Sequence, residues 1–163
     1  MGEDKKIAPL GDKPVTKGEL VCSVTYPCTK DGKYFSGGAG LVSTAHDYAR
    51  FLQMLLNGGE LDGVRLLKAE AVKLMTTNQI GAMKFGPGDL GDRFGYGLGV
   101  MTEASKNRDV ASVGSYSWGG FFYTYFWVDP QKELIGVLMT QMYPGHPTLQ
   151  KDFKKRVYES LAD

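Results

Sequence analysis

Residues Ser112 to Gln141 read SVGSYSWGGFFYTYFWVDPQKELIGVLMTQ. Tyr123 to Val128 is an unbroken aromatic and β-branched run, Asp129 to Lys132 has turn chemistry, and Leu134 to Thr140 is a second apolar run of strand length. This pattern predicts a hairpin of buried strands. At its head stands Trp118-Gly119-Gly120, and two residues without side chains there let a backbone or a ligand come close.

Outward from this hairpin, Val110 to Tyr116, Phe122 to Val128 and Leu134 to Thr140 predict three strands with short connections, best built as an antiparallel meander. Phe94 to Val100 alternates large residues with glycines and reads as a further strand with its glycines on one face, where something packs closely. A helix over about Thr148 to Leu161 shows Leu149, Phe153, Val157 and Leu161 at four-residue steps, with Lys151, Lys154 and Lys155 on other faces. It is expected to lie across one face of the sheet.

Towards the N-terminus, Thr44 to Asp47 has the spacing of a capping box. Tyr48, Phe51, Leu52, Leu55 and Leu56 then recur at helical intervals until Asn57-Gly58-Gly59 stops the pattern. Glu60 to Leu67 predicts a tight turn around Asp62-Gly63, and Ala69 to Thr77 a shorter helix with Val72 and Met75 inward. Between Gln79 and Arg93 glycines crowd around Pro87 without an apolar period, as in a loop bordering a cleft. Residues 1–34 read as an irregular lead-in with at most a short strand near Leu20 to Thr25, and residues 35–163 as one folded portion.

The 19 Lys and Arg against 18 Asp and Glu leave a formal charge of +1. No basic footprint points to nucleic acid. No run reaches the roughly 18 apolar residues of a membrane span, and the opening residues do not resemble a signal peptide, which leaves the compartment open. Cys22 and Cys28 read as a free pair, with closure of a small loop as the alternative. His46 and His146 are far apart in sequence, so no metal site or cofactor is expected.

The Trp118-Gly119-Gly120 pattern resembles the third conserved element of the serine β-lactamase, penicillin-binding protein and esterase family. In that family Lys-Thr-Gly, His-Thr-Gly or Trp-Gly-Gly lies on the strand lining the acyl-transfer site. Phe35 to Ala45, FSGGAGLVSTA, is similar to the family's glycine-rich entry to a helix, and Asp47 to Phe51 follows it in the right order. The resemblance implies an α/β (α+β type) domain, β-lactamase/transpeptidase-like, with an antiparallel sheet and flanking helices, of which this chain is the C-terminal portion only. It also implies that Trp118 lines the substrate pocket and that the backbone amide of Phe121 helps bind the developing oxyanion. Tryptophan in place of lysine removes a cation that would hold a β-lactam carboxylate, which favours esterase-like or amidase-like chemistry.

The family's nucleophile sits in Ser-x-x-Lys. None of the eight serines here (Ser23, Ser36, Ser43, Ser105, Ser112, Ser115, Ser117 and Ser160) has a lysine three positions on. Tyr34-Phe35-Ser36 and Tyr158-Glu159-Ser160 match the family's Tyr-x-Ser by letters but not by position. The resemblance therefore implies a small-molecule ester or amide substrate only when an N-terminal half completes the site. It leaves a sheet edge, expected along Leu134 to Thr140, to be paired by a complementing chain or a second copy or covered by the lead-in. A non-catalytic binding or assembly module of the same fold is the alternative.

Three other patterns read as structural. Ser115 to Gly119 approaches the Gly-x-Ser-x-Gly elbow, but a strand-forming run follows where an elbow needs a helix, so Ser117 reads as a strand-entry or pocket-lining hydroxyl. Gly86 to Gly91 spells Gly-x-Gly-x-x-Gly with neither a strand before it nor a helix after it, and reads as a loop. Tyr123, Tyr125 and Trp127 read as aromatic core packed against helices.

Overall fold

The computed structural model describes residues 15–17, 20–22, 37–38, 41–84, 91–142 and 148–161. The Cys22–Cys28 pairing, His146, most of the glycine-rich block before Ala45 and most of the Gly86 to Gly91 loop lie outside the described residues. Within the lead-in, two short strands, β1 (Val15–Lys17) and β2 (Leu20–Cys22), pair antiparallel, where at most one strand was expected.

Helix α1 (Ala45–Leu56) begins where its sequence signal places it. The Thr44 hydroxyl accepts the Asp47 amide at 3.2 Å and donates to the Asp47 carboxylate at 2.9 Å, satisfying one of the first-turn amides that have no intrahelical partner. The helix ends through the Gly59 amide, which donates to Met54 O at 2.8 Å. Gly59 has φ +100°, and a Cβ there would lie 2.2 Å from Leu67 O, so this position requires glycine. Strands β3 (Glu60–Leu61) and β4 (Val64–Arg65) then pair around Asp62 and Gly63, both at positive φ as a two-residue hairpin turn demands. Helix α2 (Ala69–Thr76) follows, with Val72 buried.

The main sheet has five antiparallel strands in chain order: β5 (Arg93–Phe94), β6 (Gly99–Val100), β7 (Tyr116–Gly119), β8 (Tyr125–Asp129) and β9 (Leu134–Leu138). Helix α3 (Leu149–Glu159) closes the described chain. This is the mixed α/β architecture, antiparallel sheet with flanking helices, that the sequence predicts. Helices cover both faces. Phe126, Val128 and Tyr116 face α1 and α2 and pack with Leu52, Leu55, Val72 and Val100 in one apolar cluster. Burial there pushes the Tyr116 phenol up to about 12. On the opposite face Trp127 is 0% exposed and meets Phe153 of α3 edge-on at 5.8 Å. Its cross-strand partner is Gly136, where a Cβ would lie 2.1 Å from the Trp127 ring. The aromatic run of β8 is thus core, shared between two helical layers.

Three expectations are corrected. Phe94 to Val100 is a hairpin and not one strand: Gly97 at φ +85° reverses the chain and the Gly95 amide donates to Leu98 O at 2.8 Å. Close packing does occur at Gly95, where a Cβ would meet Met75 O at 1.9 Å. Val110 to Ser115 is loop, because the Asp109 and Asp129 carboxylates accept the Ala111 and Ser112 amides at 3.0 and 2.9 Å in place of a strand partner. Lys154, expected away from the apolar stripe of the helix, is nonetheless drawn inward. It is 5% exposed, with Nζ 2.8 Å from the Asp109 carboxylate and 5.6 Å from the Trp127 ring centroid.

Lys154 belongs to a row at four-residue steps along α3. Gln150 donates to Tyr123 O at 3.3 Å and Thr124 O at 3.4 Å, Lys154 pairs with Asp109, and the Tyr158 hydroxyl donates to Asp129 at 2.7 Å. Each residue of the row therefore ties the helix to a different point: the turn before β8, the loop at Asp109 and the last residue of β8. Asp129 is fully buried and also accepts the Gln131 amide at 3.1 Å. Burial pushes its carboxyl up, but the bonds from Ser112, Tyr158 and Lys132 outweigh that and hold it below the ordinary 3.8. Burial, and then the bond to Asp129, raises the Tyr158 phenol.

Candidate functional site

The Trp118-Gly119-Gly120 tripeptide closes β7; it does not head the following strand as the sequence implied. A turn over Gly120 to Thr124 separates it from β8, with the Gly120 amide donating to Thr124 O at 2.8 Å and the Tyr123 amide to Gly120 O at 3.0 Å. Tyr123 takes φ +69° to make this reversal, a conformation that costs an L-residue with a bulky side chain about 1–2 kcal/mol. The turn is held from the β9 side as well: Thr140 Oγ1 and the Met142 amide both donate to Phe122 O, at 2.7 and 3.1 Å. Pairing from β6 stops at Ser117, whereas pairing from β8 runs on to Gly119. Ladder pairing to β6 therefore ends just before the tripeptide.

All four sequence-predicted site residues are at the surface. Trp118 is 43% exposed and Phe121 55%, and both glycines are exposed. Trp118 lies on the Phe126 face, its ring 5.1 Å from that of Phe94, and Phe121 stands in the turn edge-on to Phe122 at 5.1 Å. The two glycines are not equivalent. A Cβ on Gly120 would lie 2.2 Å from Thr124 Oγ1, so the turn itself requires that glycine. A Cβ on Gly119 would meet nothing nearer than Thr124 O at 3.6 Å, an ordinary contact. Packing among the described residues therefore does not explain the missing side chain at Gly119.

Gly119 borders two cavities. The larger, about 360 Å³, lies on the α3 face over β6 and β7, with Ser117, Arg93, Arg108, Asp109 and Lys154 in its walls. Five strands at about 4.8 Å spacing exceed what one helix of about 10 Å diameter can cover, and the space beside α3 is the remainder. Ser115 Oγ, in the wall of this cavity, is buried with no hydrogen-bond partner among the described residues. The smaller cavity, about 150 Å³, is walled by Tyr48, Trp118, Phe126, Val137 and Met139, with Gly119, Gly120 and Thr124 at its edge. Burial raises the Tyr48 phenol, so at neutral pH it is a hydroxyl.

Ser117 lines the larger cavity in mid-strand, with β7 continuing into a hairpin; the strand-to-helix elbow is absent at this position. His46 is exposed in the first turn of α1. Tyr158, of the literal Tyr-x-Ser match, is committed to Asp129. Sequence reasoning missed Tyr48 and Met139 as pocket walls, since a helical stripe and an apolar strand predict only core. It also missed Lys154, for which the signal was its four-residue spacing from Gln150 and Tyr158.

Antiparallel strands between helical layers, with a glycine-bearing strand end opening onto clefts, agree with the fold that the resemblance to serine acyl-transfer enzymes implies. The sequence profile described as Beta-lactamase matches residues 3–158, and the chain belongs to that family. Protein Rv1367c of Mycobacterium tuberculosis (strain ATCC 25618 / H37Rv) is 34% identical over 155 residues, a match covering 79% of this chain and 39% of that protein. An Escherichia coli (strain K12) protein described as a candidate D-alanyl-D-alanine carboxypeptidase is 33% identical, over 77% of this chain and 27% of its own length. Among solved structures, EstCE1, a hydrolase with promiscuous acyltransferase activity, superposes with a TM-score of 0.64 at 28% identity, over 77% of this chain and 32% of that one. The chain thus spans well under half the length of these relatives, and it has the fold of hydrolases in this family. No helix among the described residues is long and apolar enough to cross a membrane.

Proposed function

We propose that this chain is the C-terminal portion of a serine hydrolase that acts on ester or amide carbonyls through an acyl-enzyme. It supplies one pocket wall through Trp118 and Gly119, and the Phe121 amide helps bind the oxyanion. A fixed backbone donor of this kind is worth about 3 kcal/mol of transition-state stabilisation. The attacking serine comes from a Ser-x-x-Lys segment outside this chain, so the chain alone does not turn over substrate. The observation that carries this reading is Gly119: an exposed strand residue, between two cavities, whose lack of a side chain no contact among the described residues demands.

The unfilled space beside α3 and the outer edge of β9, which no strand pairs among the described residues, support completion by further polypeptide. The test is covalent labelling with a fluorophosphonate. The isolated chain should remain unlabelled, and a complementing segment bearing Ser-x-x-Lys should restore labelling on its own serine. Labelling of the isolated chain that disappears in Ser117→Ala would overturn the assignment. A non-catalytic assembly module of the same fold would pair with the complementing segment without labelling.

A further inference from the structure

The two cavities beside Gly119 differ in chemistry, and the difference selects a substrate. The larger holds five charged residues, Asp92, Arg93, Arg108, Asp109 and Lys154. The smaller, on which Trp118 and Gly120 also open, has no charged residue in its wall among the described residues. A carboxylate entering it would lose its hydration without meeting a cation, which strongly disfavours the ionised form. Its apolar members are not sealed core either. Trp118 is 43% exposed and Met139 41%, so large apolar surfaces of the cavity wall meet water where a ligand would arrive. Methionine at such a mouth adapts its shape to varied aliphatic groups. The volume, about 150 Å³, matches about five heavy atoms at the ~30 Å³ that a water molecule occupies in the liquid.

We infer that the small cavity receives a neutral, apolar group of a carbonyl substrate, such as the short aliphatic or small aromatic portion of an ester, in preference to one bearing a carboxylate. This rests on the reading of Trp118 to Phe121 as the carbonyl-binding strand. Trp118 and Met139 are the specificity-determining residues. Hydrocarbon that they cover leaves water, and the edge glycines keep the backbone within reach of the adjoining carbonyl.

The test uses the whole chain with ¹³C-methyl methionine and ¹⁵N backbone labels, titrated at neutral pH with 2-hexanone, hexanoate and 1-chloropentane. The ketone should shift the Met139 methyl and the Gly119 and Gly120 amides saturably, and hexanoate should bind more weakly by roughly tenfold or more. In Met139→Lys that preference should reverse, and Trp118→Ala should weaken the ketone while leaving distant resonances in place. Because the residues on which the inference rests, Trp118 and Met139, belong to this chain, the absence of a saturable shift with any probe overturns the inference. So does hexanoate binding as tightly as the ketone, or shifts centred on Ser117 and Lys154. If 1-chloropentane binds as tightly as 2-hexanone, the apolar preference stands and it is the carbonyl reading of the strand that fails.

Discussion

One strand, β8, builds both faces of the sheet, and the faces are held by different physics. Towards α1, Phe126 and Val128 join Leu52, Leu55 and Val72 in a cluster whose cohesion comes from apolar area removed from water, about 25 cal/mol per Å². Towards α3, Trp127 and Asp129 are both 0% exposed, and the face combines stacked rings with a buried carboxylate and a buried ammonium, each satisfied by named partners. The first face tolerates approximate shape. The second depends on particular atoms, because a buried polar group that loses its partner keeps its desolvation penalty.

The comparison can be broken by substitution. Leu52→Ala should cost the most, about 3 kcal/mol, as a cavity in the apolar cluster. Urea melts between pH 3 and 7 should show that cost nearly constant, since no titrating group is removed. Asp129→Ala should cost about 2–3 kcal/mol near neutrality by orphaning the Ser112 and Gln131 amides and the Tyr158 hydroxyl. Here the cost depends on pH. The folded carboxyl titrates below the unfolded value of 3.8, so its contribution is complete above that value and fades as pH falls through the lower folded one. Wild type and variant should converge in acid. If the Asp129 gap stayed flat while the Leu52 gap closed, the assignment of the two faces would be reversed.

Lys154 sharpens the contrast. Asp109 keeps 33% of its side chain exposed and can turn to water when its partner is removed. Lys154→Met, which retains a buried aliphatic stem, should cost about 1 kcal/mol or less, and Lys154→Ala about 2. Equal losses for the two variants would assign the whole effect to charge. The smallest expected change is a gain. Tyr123→Gly should relieve the left-handed strain and raise stability by about 0.5–1 kcal/mol in thermal melts, after the entropy that glycine adds to the unfolded chain.

The apolar face was largely legible in the sequence. Thr44, the stripe from Tyr48 to Leu56 and the glycines after it specify α1 by local rules, and the aromatic run around Phe126 specifies its partner strand. What was not legible is where alternation breaks. Phe94 to Val100 has a period of two throughout, and periodicity alone does not register that Gly97 reverses the chain. Val110, Ala111, Val113 and Tyr116 lend their segment a strand-like composition, yet carboxylates from Asp109 and Asp129, the latter 17 residues from Ser112, capture the Ala111 and Ser112 amides. The polar face was hidden for a related reason, because patterning assigns lysine to solvent and the carboxylate that draws Lys154 inward lies 45 residues away. At the site, Trp118 to Gly120 was recognisable as a signature. The distinct duties of its glycines, one for the turn and one towards the clefts, became apparent only with Thr124 in place.

The row formed by Gln150, Lys154 and Tyr158 makes α3 a clasp with three teeth, one of which grips the turn that follows the signature tripeptide. Lifting the helix would release the turn before β8, the loop at Asp109 and the end of β8 together. A perturbation on the far side of the sheet therefore reaches the surface where carbonyl chemistry is proposed, through Gln150 and the backbone of Thr124 at the edge of the small cavity.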